Sequence, residues 1–313
     1  MQSVPWHDQY APYSHMMKIV RSGNFAHAYL FTGPAGTGKR TLASFCAKAM
    51  LCTETEKPCG ACAPCKRVES GNHPDVITVN EPGEIKIETI RGLIDLLTNS
   101  AYEGGYRAVV INGAERMNAH AQNALLKTLE TPPRRTVFFL ISASPAALLA
   151  TIKSRCQVIR FGLLSTAEIK KMLAARGIEP SRAAILAELS HGSPGRALEL
   201  NQSESYWQQR ARVGEALKLL SDPANISAAY QHVSDRKNAD VIFSIIEGWA
   251  RGIMLTRETG AKYIQDDLPD LHNHKPSFGA DVLQSVLSAR QRHGSNVTWQ
   301  SNIEILFLDI AGG

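Results

Sequence analysis

The stretch that most constrains this chain is Gly33-Pro34-Ala35-Gly36-Thr37-Gly38-Lys39-Arg40-Thr41, which follows the apolar run Ala28-Tyr29-Leu30-Phe31 and opens an amphipathic segment. Strand, glycine-rich turn and helix in that order make a phosphate cradle. The glycines let the backbone curl with its N–H groups inward, the helix presents its positive end, and Lys39 reaches for the terminal phosphates. The spacing is G-x-x-x-x-G-K, so Gly33, Gly36, Thr37, Gly38, Lys39, Arg40 and Thr41 are the candidate binding residues for ATP or ADP. The match stops one residue short. Arg40 stands where a Ser or Thr hydroxyl would hold Mg²⁺, and Thr41, one place later, is turned by about 100° around a helix. A glycine-rich turn with a lysine can also be a plain strand-to-helix connection, but the preceding strand and the run of consistent positions favour the cradle. Nucleotide binding is expected; hydrolysis is not.

A length of 313 residues suggests two or three domains, and 44% hydrophobic residues suffice for buried cores. The longest unbroken apolar runs, such as Val137 to Ile141, are about five residues, far short of a membrane span. Met1 to Tyr10 has neither the charge nor the apolar block of a signal peptide. A soluble cytoplasmic protein without membrane contact is expected. The net charge of +5 permits contact with nucleic acid without requiring it, because no long Lys/Arg run appears.

Ahead of the first strand, a short helix is expected over Met16 to Arg21. Behind the glycine-rich turn, Leu42, Phe45, Cys46, Ala49 and Met50 share one helix face. Cys52, Cys59, Cys62 and Cys65 follow at C-x6-C-x2-C-x2-C spacing in a loop with Pro58, Gly60 and Pro64. Two C-x2-C steps sharing a cysteine gather three thiolates, and Cys52 closes a tetrahedral site, so structural Zn²⁺ is the expected occupant in a reducing compartment. Cys46 and Cys156 read as ordinary buried cysteines. His73 beside Asp75 could be a catalytic pair, but the Gly71-Asn72-His73-Pro74-Asp75 context favours a capped turn.

Strands are expected at Val76 to Val79, Arg107 to Ile111, Val137 to Ile141 and Gln157 to Phe161, with a helix through Ile90, Leu93, Ile94 and Leu97. Strands alternating with helices predict an α/β fold with a five-stranded parallel sheet. A hydrolytic site of this kind places two acids at the end of the third strand, one for Mg²⁺ and one for the attacking water. This chain has Asn112 and Gly113 there, with Glu115 two residues on. The lost acids and the lost hydroxyl at Arg40 agree.

His27-Ala28-Tyr29-Leu30-Phe31 running into the phosphate loop, the four-cysteine insert, His73-Pro74-Asp75, the run Asn123-Ala124-Leu125-Leu126-Lys127-Thr128-Leu129-Glu130 before Pro132-Pro133, and Ser154-Arg155-Cys156 occur in this order. Together they resemble the bacterial DNA polymerase III clamp-loader subunits, a family of AAA+ proteins. Motor subunits of that family keep a full ATPase site, whereas its δ′ type has a degenerate one, which the defects at Arg40, Asn112 and Gly113 favour. Thr131 departs from the family, which often has a glutamate there.

The resemblance implies an AAA+ core at residues 1–162 with the zinc module at 52–65, a three-helix lid at 163–203 and an all-α collar at 204–313. It also implies a role as stator within the polymerase holoenzyme, with motor and δ-type subunits as partners in a five-membered ring that acts on a sliding clamp and primed DNA. Arg155 would act in trans as an arginine finger on a neighbour's ATP. In the lid, Ser165 to Glu168 reads as a capping box, Ser181 as a second helix start and Ser193-Pro194 as a third. Gly195 replaces the lid arginine of the family, and Arg196 reads as a solvent-facing charge. Beyond Ser205 the stripes Ile242/Ile245/Ile246/Trp249/Ile253, Val282/Leu283/Val286/Leu287 and Ile303/Leu306/Leu308/Ile310 predict a helical bundle. His272 and His274 fall in a polar loop. Two other readings remain open: an independently active, motor-type ATPase, and a zinc-dependent DNA-binding module using Lys66 and Arg67.

Overall fold

The computed structural model describes residues 10–103, 105–260, 268–269, 275, 277–295 and 297–312. The segment before Tyr10 and the pair His272 and His274 lie outside the described residues. Two compact units divide between Leu198 and Glu199.

In the first unit α1 (Ala11–Ser22) leads to β1 (Ala28–Thr32), α2 (Lys39–Leu51), α3 (Ala63–Glu69), β2 (Val76–Val79), α4 (Ile87–Thr98), β3 (Arg107–Asn112), α5 (Ala119–Glu130), β4 (Thr136–Ser142), α6 (Ala150–Lys153) and β5 (Gln157–Arg160). The five strands form one parallel sheet in the order β2-β3-β4-β1-β5. β1 and β4 have a strand on each side and are buried along their whole length, which is why both read as unbroken apolar runs. Alternate residues serve opposite faces. Leu30, Val109, Phe138 and Leu140 pack with Leu93 of α4 and Leu125 of α5. Tyr29, Phe31 and Phe139 gather on the other side with ring centroids 5.6 to 6.3 Å apart. There α2 packs against the sheet with Leu42, Ala43 and Cys46 fully buried.

The first helix is longer than the expected Met16 to Arg21. Pro12 occupies its first turn, where a missing N–H is no loss, and Gly23 closes it at φ 71°. After the sheet come α7 (Thr166–Ala174), α8 (Pro180–Leu189) and α9 (Pro194–Gln202), with the unit boundary inside α9. Ser165 and Glu168 form the expected capping box. Ser181 does not open α8. Glu179 does, its carboxylate accepting from the N–H groups of Ser181 and Arg182 while Pro180 takes the first helical position.

The second unit contains α10 (Glu204–Leu219), α11 (Ile226–His232), α12 (Ala239–Thr259), α13 (Phe278–His293) and α14 (Trp299–Ala311). Ile242, Ile245, Ile246, Trp249 and Ile253 of α12 are buried against Val282 and Val286 of α13 and Ile303, Leu306 and Ile310 of α14. Leu287 and Leu308 leave the expected core stripes, at 52% and 54% exposed. Each follows a buried residue, Val286 or Phe307, and one position turns a helical side chain by about 100°. No helix among the described residues is long and apolar enough to cross a membrane.

Candidate functional site

The phosphate loop spans the gap between the C-terminal end of β1 and α2. Lys39 is 6% exposed, and its Nζ donates to the carbonyls of Gly33 and Pro34, both at 2.5 Å. Burial lowers its pKa from the ordinary lysine value, and the charge of Glu115 opposes that shift. Thr37 Oγ1 donates to the Pro34 carbonyl at 2.8 Å. The start of α9 approaches the loop at Gly36. The Gly195 N–H at the start of α9 donates to the Gly36 carbonyl at 2.7 Å. A Cβ on Gly36 would lie 2.2 Å from Ser193 Oγ, and one on Gly195 would lie 3.0 Å from Gly36 Cα, so this approach admits only glycine. Arg196 is exposed, as its register suggests.

Arg40 and Thr41, at the start of α2, are exposed. They line a cleft of about 440 Å³ with Phe45, Lys48, Val68 and Thr78. At the end of β3, Asn112 Nδ2 donates to Asn80 Oδ1 at 2.7 Å, a neutral amide pair where a metal-holding acid would stand. Glu115 follows on a short 3-10 turn (Ala114–Arg116). One of its carboxylate oxygens accepts from the Ala143 N–H at 3.1 Å, and the other is buried without a hydrogen-bond partner.

The four cysteines converge. The sulfurs of Cys52, Cys59, Cys62 and Cys65 all lie within 4.8 Å of one another, and those of Cys52 and Cys62 are 3.9 Å apart. A tetrahedral metal with bonds of about 2.3 Å to sulfur separates its ligands by about 3.8 Å, so the cluster could hold a metal ion. The backbone supports charge on the sulfurs through Cys59 N–H to Cys52 Sγ at 3.5 Å, and through Ala61 and Cys62 N–H to Cys59 Sγ at 3.4 and 3.3 Å. Burial works against a Cys62 thiolate, yet the N–H groups of Cys65 and Thr53 and the Cys65 and Cys59 thiols outweigh it and bring its pKa down to about 6. Burial pushes Cys65 up to about 12, so a dication would have to displace its proton. Cys46 and Cys156 are buried thiols, the latter pushed up to about 12 by burial.

His73 and Asp75 form a capped turn. The Asp75 N–H donates to His73 Nδ1 at 3.1 Å, and the fully buried Asp75 carboxylate accepts from the N–H groups of Tyr102 and Glu103 at 2.6 and 2.9 Å. Glu103 in turn pairs with Arg67 of α3 at 2.5 Å. That pairing commits one of the two cations on which a DNA-binding cysteine module would depend.

Arg155 stands between Ile152 and Cys156, both anchored in the core. Its side chain is 32% exposed. Nη1 donates to the Thr151 carbonyl at 2.8 Å, and Nη2 pairs with the Glu130 carboxylate. Neither Glu130 nor the lid contact at Gly195 was singled out from sequence as a partner. Both link distant positions, and spacing carries no signal for such contacts.

A five-stranded parallel sheet in this order, with a phosphate loop between β1 and α2 and a helical segment after β5, defines an AAA+ protein of the α/β class. The family model described as DNA polymerase III, delta subunit, matches residues 9–165. The chain is 33% identical to DNA polymerase III subunit delta' of Escherichia coli (strain K12) over 92% of its own length and 89% of that protein's. It is 38% identical to the subunit delta' of Pseudomonas aeruginosa over 73% and 72%. The subunit tau of Escherichia coli is 34% identical over 74% of this chain but only 38% of its own length. The chain belongs to the family of DNA polymerase III delta' subunits.

Proposed function

We propose that the chain works in the cytoplasm as the stator of a clamp loader, in a five-membered ring with motor and δ-type subunits that places a sliding clamp on primed DNA. Its 1–162 segment would be the AAA+ core, 163–203 the lid and 204–313 the collar that joins the ring. Cys52, Cys59, Cys62 and Cys65 would hold a structural Zn²⁺, since four protein ligands leave no position for a reacting water. Arg155 would stabilise charge on the γ-phosphate of ATP held by a neighbour. The exposed guanidinium serves that task because it is planar and permanently charged.

The observation that carries this reading is the state of the chain's own nucleotide site. Gly33, Gly36, Thr37, Gly38 and Lys39 keep the phosphate cradle. Arg40 stands where a metal-holding hydroxyl would be, Asn112 is paired to Asn80, and Lys39 is bonded to loop carbonyls. ATP or ADP binding remains within reach of the loop, while metal-assisted hydrolysis lacks its ligands.

A motor-type ATPase is the second reading, favoured by the retained Lys39 and by Glu115, whose charge acts on it. ATP turnover by the full chain alone, compared with its Lys39→Ala variant, separates the two. No Lys39-dependent turnover is expected. Hydrolysis that disappears in the variant would favour the motor reading.

A further inference from the structure

We infer that Glu130 is a positioning residue for Arg155, an inference that rests on the arginine-finger reading above. The backbone at Arg155 is fixed from both sides, because Ile152 and Cys156 are buried and the Arg155 N–H bonds to the Ile152 carbonyl at 3.1 Å. The side chain is 32% exposed and makes two polar contacts. The Thr151 carbonyl is local to α6, the four-residue helix that carries it. Glu130 lies 25 positions earlier, in the last turn of α5, whose Leu125 and Leu129 are buried against the sheet. The carboxylate is therefore the contact that ties the guanidinium to the rigid core.

A guanidinium carries five N–H donors in one plane. Here one goes to a carbonyl and one to a carboxylate, and no further partner holds the rest among the described residues. Contacts in two directions fix the plane and leave the remaining donors for a phosphate. Both side chains are partly exposed, at 32% and 50%, so the pair contributes little to stability. Its effect is on orientation. An arginine loses rotamer freedom when it engages a ligand, and one already held in place meets developing charge without reorganising. The same carboxylate could act in the opposite sense, by neutralising the cation and restraining it, so the sign of the effect is decisive.

The test uses the complete loader reconstituted with Glu130→Ala, Glu130→Gln, Glu130→Asp, Arg155→Ala and the E130A/R155A double variant, with assembly measured for each. Glu130→Ala is expected to lower DNA-stimulated kcat by about tenfold, the loss of one charged hydrogen bond, at unchanged KM for ATP. Glu130→Gln keeps an acceptor oxygen and should retain most of the turnover. Glu130→Asp keeps the charge without the reach and should resemble the alanine variant, which also covers the case of poor assembly by Glu130→Ala. In the R155A background Glu130→Ala should change nothing more. Unchanged or raised turnover in Glu130→Ala, beside a loss in Arg155→Ala, would overturn the inference and leave the finger standing. A further loss in the double variant would likewise overturn it. Full turnover in Arg155→Ala would remove the finger reading, and the inference with it.

Discussion

Lys39 and His73 are both buried, both able to carry a proton, and both held by backbone groups that limit what they can do. Loop carbonyls take two of the three donors of the Lys39 ammonium, which leaves the third for an arriving phosphate, and a hydrogen bond to a charged group contributes about 1.5–3 kcal/mol. His73 accepts from the Asp75 N–H through Nδ1, which requires the neutral ring. Burial lowers its pKa below the ordinary histidine value of about 6.5, and Arg67 adds to this, while Glu103 and Asp75 oppose it. A histidine with a lowered folded pKa contributes stability that is fully present above the unfolded value and lost as pH falls through the folded one. Urea unfolding at about pH 7.5 and about pH 5 therefore checks the assignment. Stability should fall on acidification, and it should fall less in His73→Gln, which cannot take up the proton. An equal fall in both proteins would mean that His73 is not held neutral.

The loop from Cys52 to Cys62 belongs to no strand, and α3, which follows it and carries Cys65, is short, at 7 residues. Its fixed points are the cysteine cluster, the buried side chain of Val68 and the link from Arg67 to Glu103. Elemental analysis should find one metal ion per chain. Chelation should raise amide exchange through residues 52–69 while β1 and β4 stay protected, because the sheet draws its stability from its own core. A metal-free protein with the same exchange pattern would contradict the metal site. Elements of this kind were legible in the sequence because their information is local. The phosphate loop, the C-x2-C steps and the capping box at Ser165 each depend on residues a few positions apart. Opacity set in where neighbouring residues compete to start a helix, and where a contact spans the chain. The start of α1 turned on Pro12, the start of α8 on the cap by Glu179, and the tie between Gly195 and Gly36 on a close approach across 159 positions that no periodicity encodes. The exposed Leu287 and Leu308 are a different case, since a stripe read from hydrophobicity alone does not fix which neighbour turns outward.

Taken as a whole, the molecule joins a unit built on a parallel sheet, ending at Leu198, to a helical unit that begins at Glu199. The first unit carries the G-x-x-x-x-G-K loop, with Arg40 after its lysine and Asn112 at the end of β3. It also presents one arginine from a core-anchored turn. On the proposed reading the chain acts on ATP hydrolysis at a neighbour's site, which makes Arg155 the residue on which that reading stands. Clamp- and DNA-stimulated ATP turnover by a loader reconstituted with the natural chain or with Arg155→Ala, assembly being equal, is the most direct measurement. A large loss of turnover at unchanged KM for ATP is the expected result, since related arginine fingers contribute about 10³- to 10⁵-fold at the site they serve. Unchanged turnover in a fully assembled loader would contradict it.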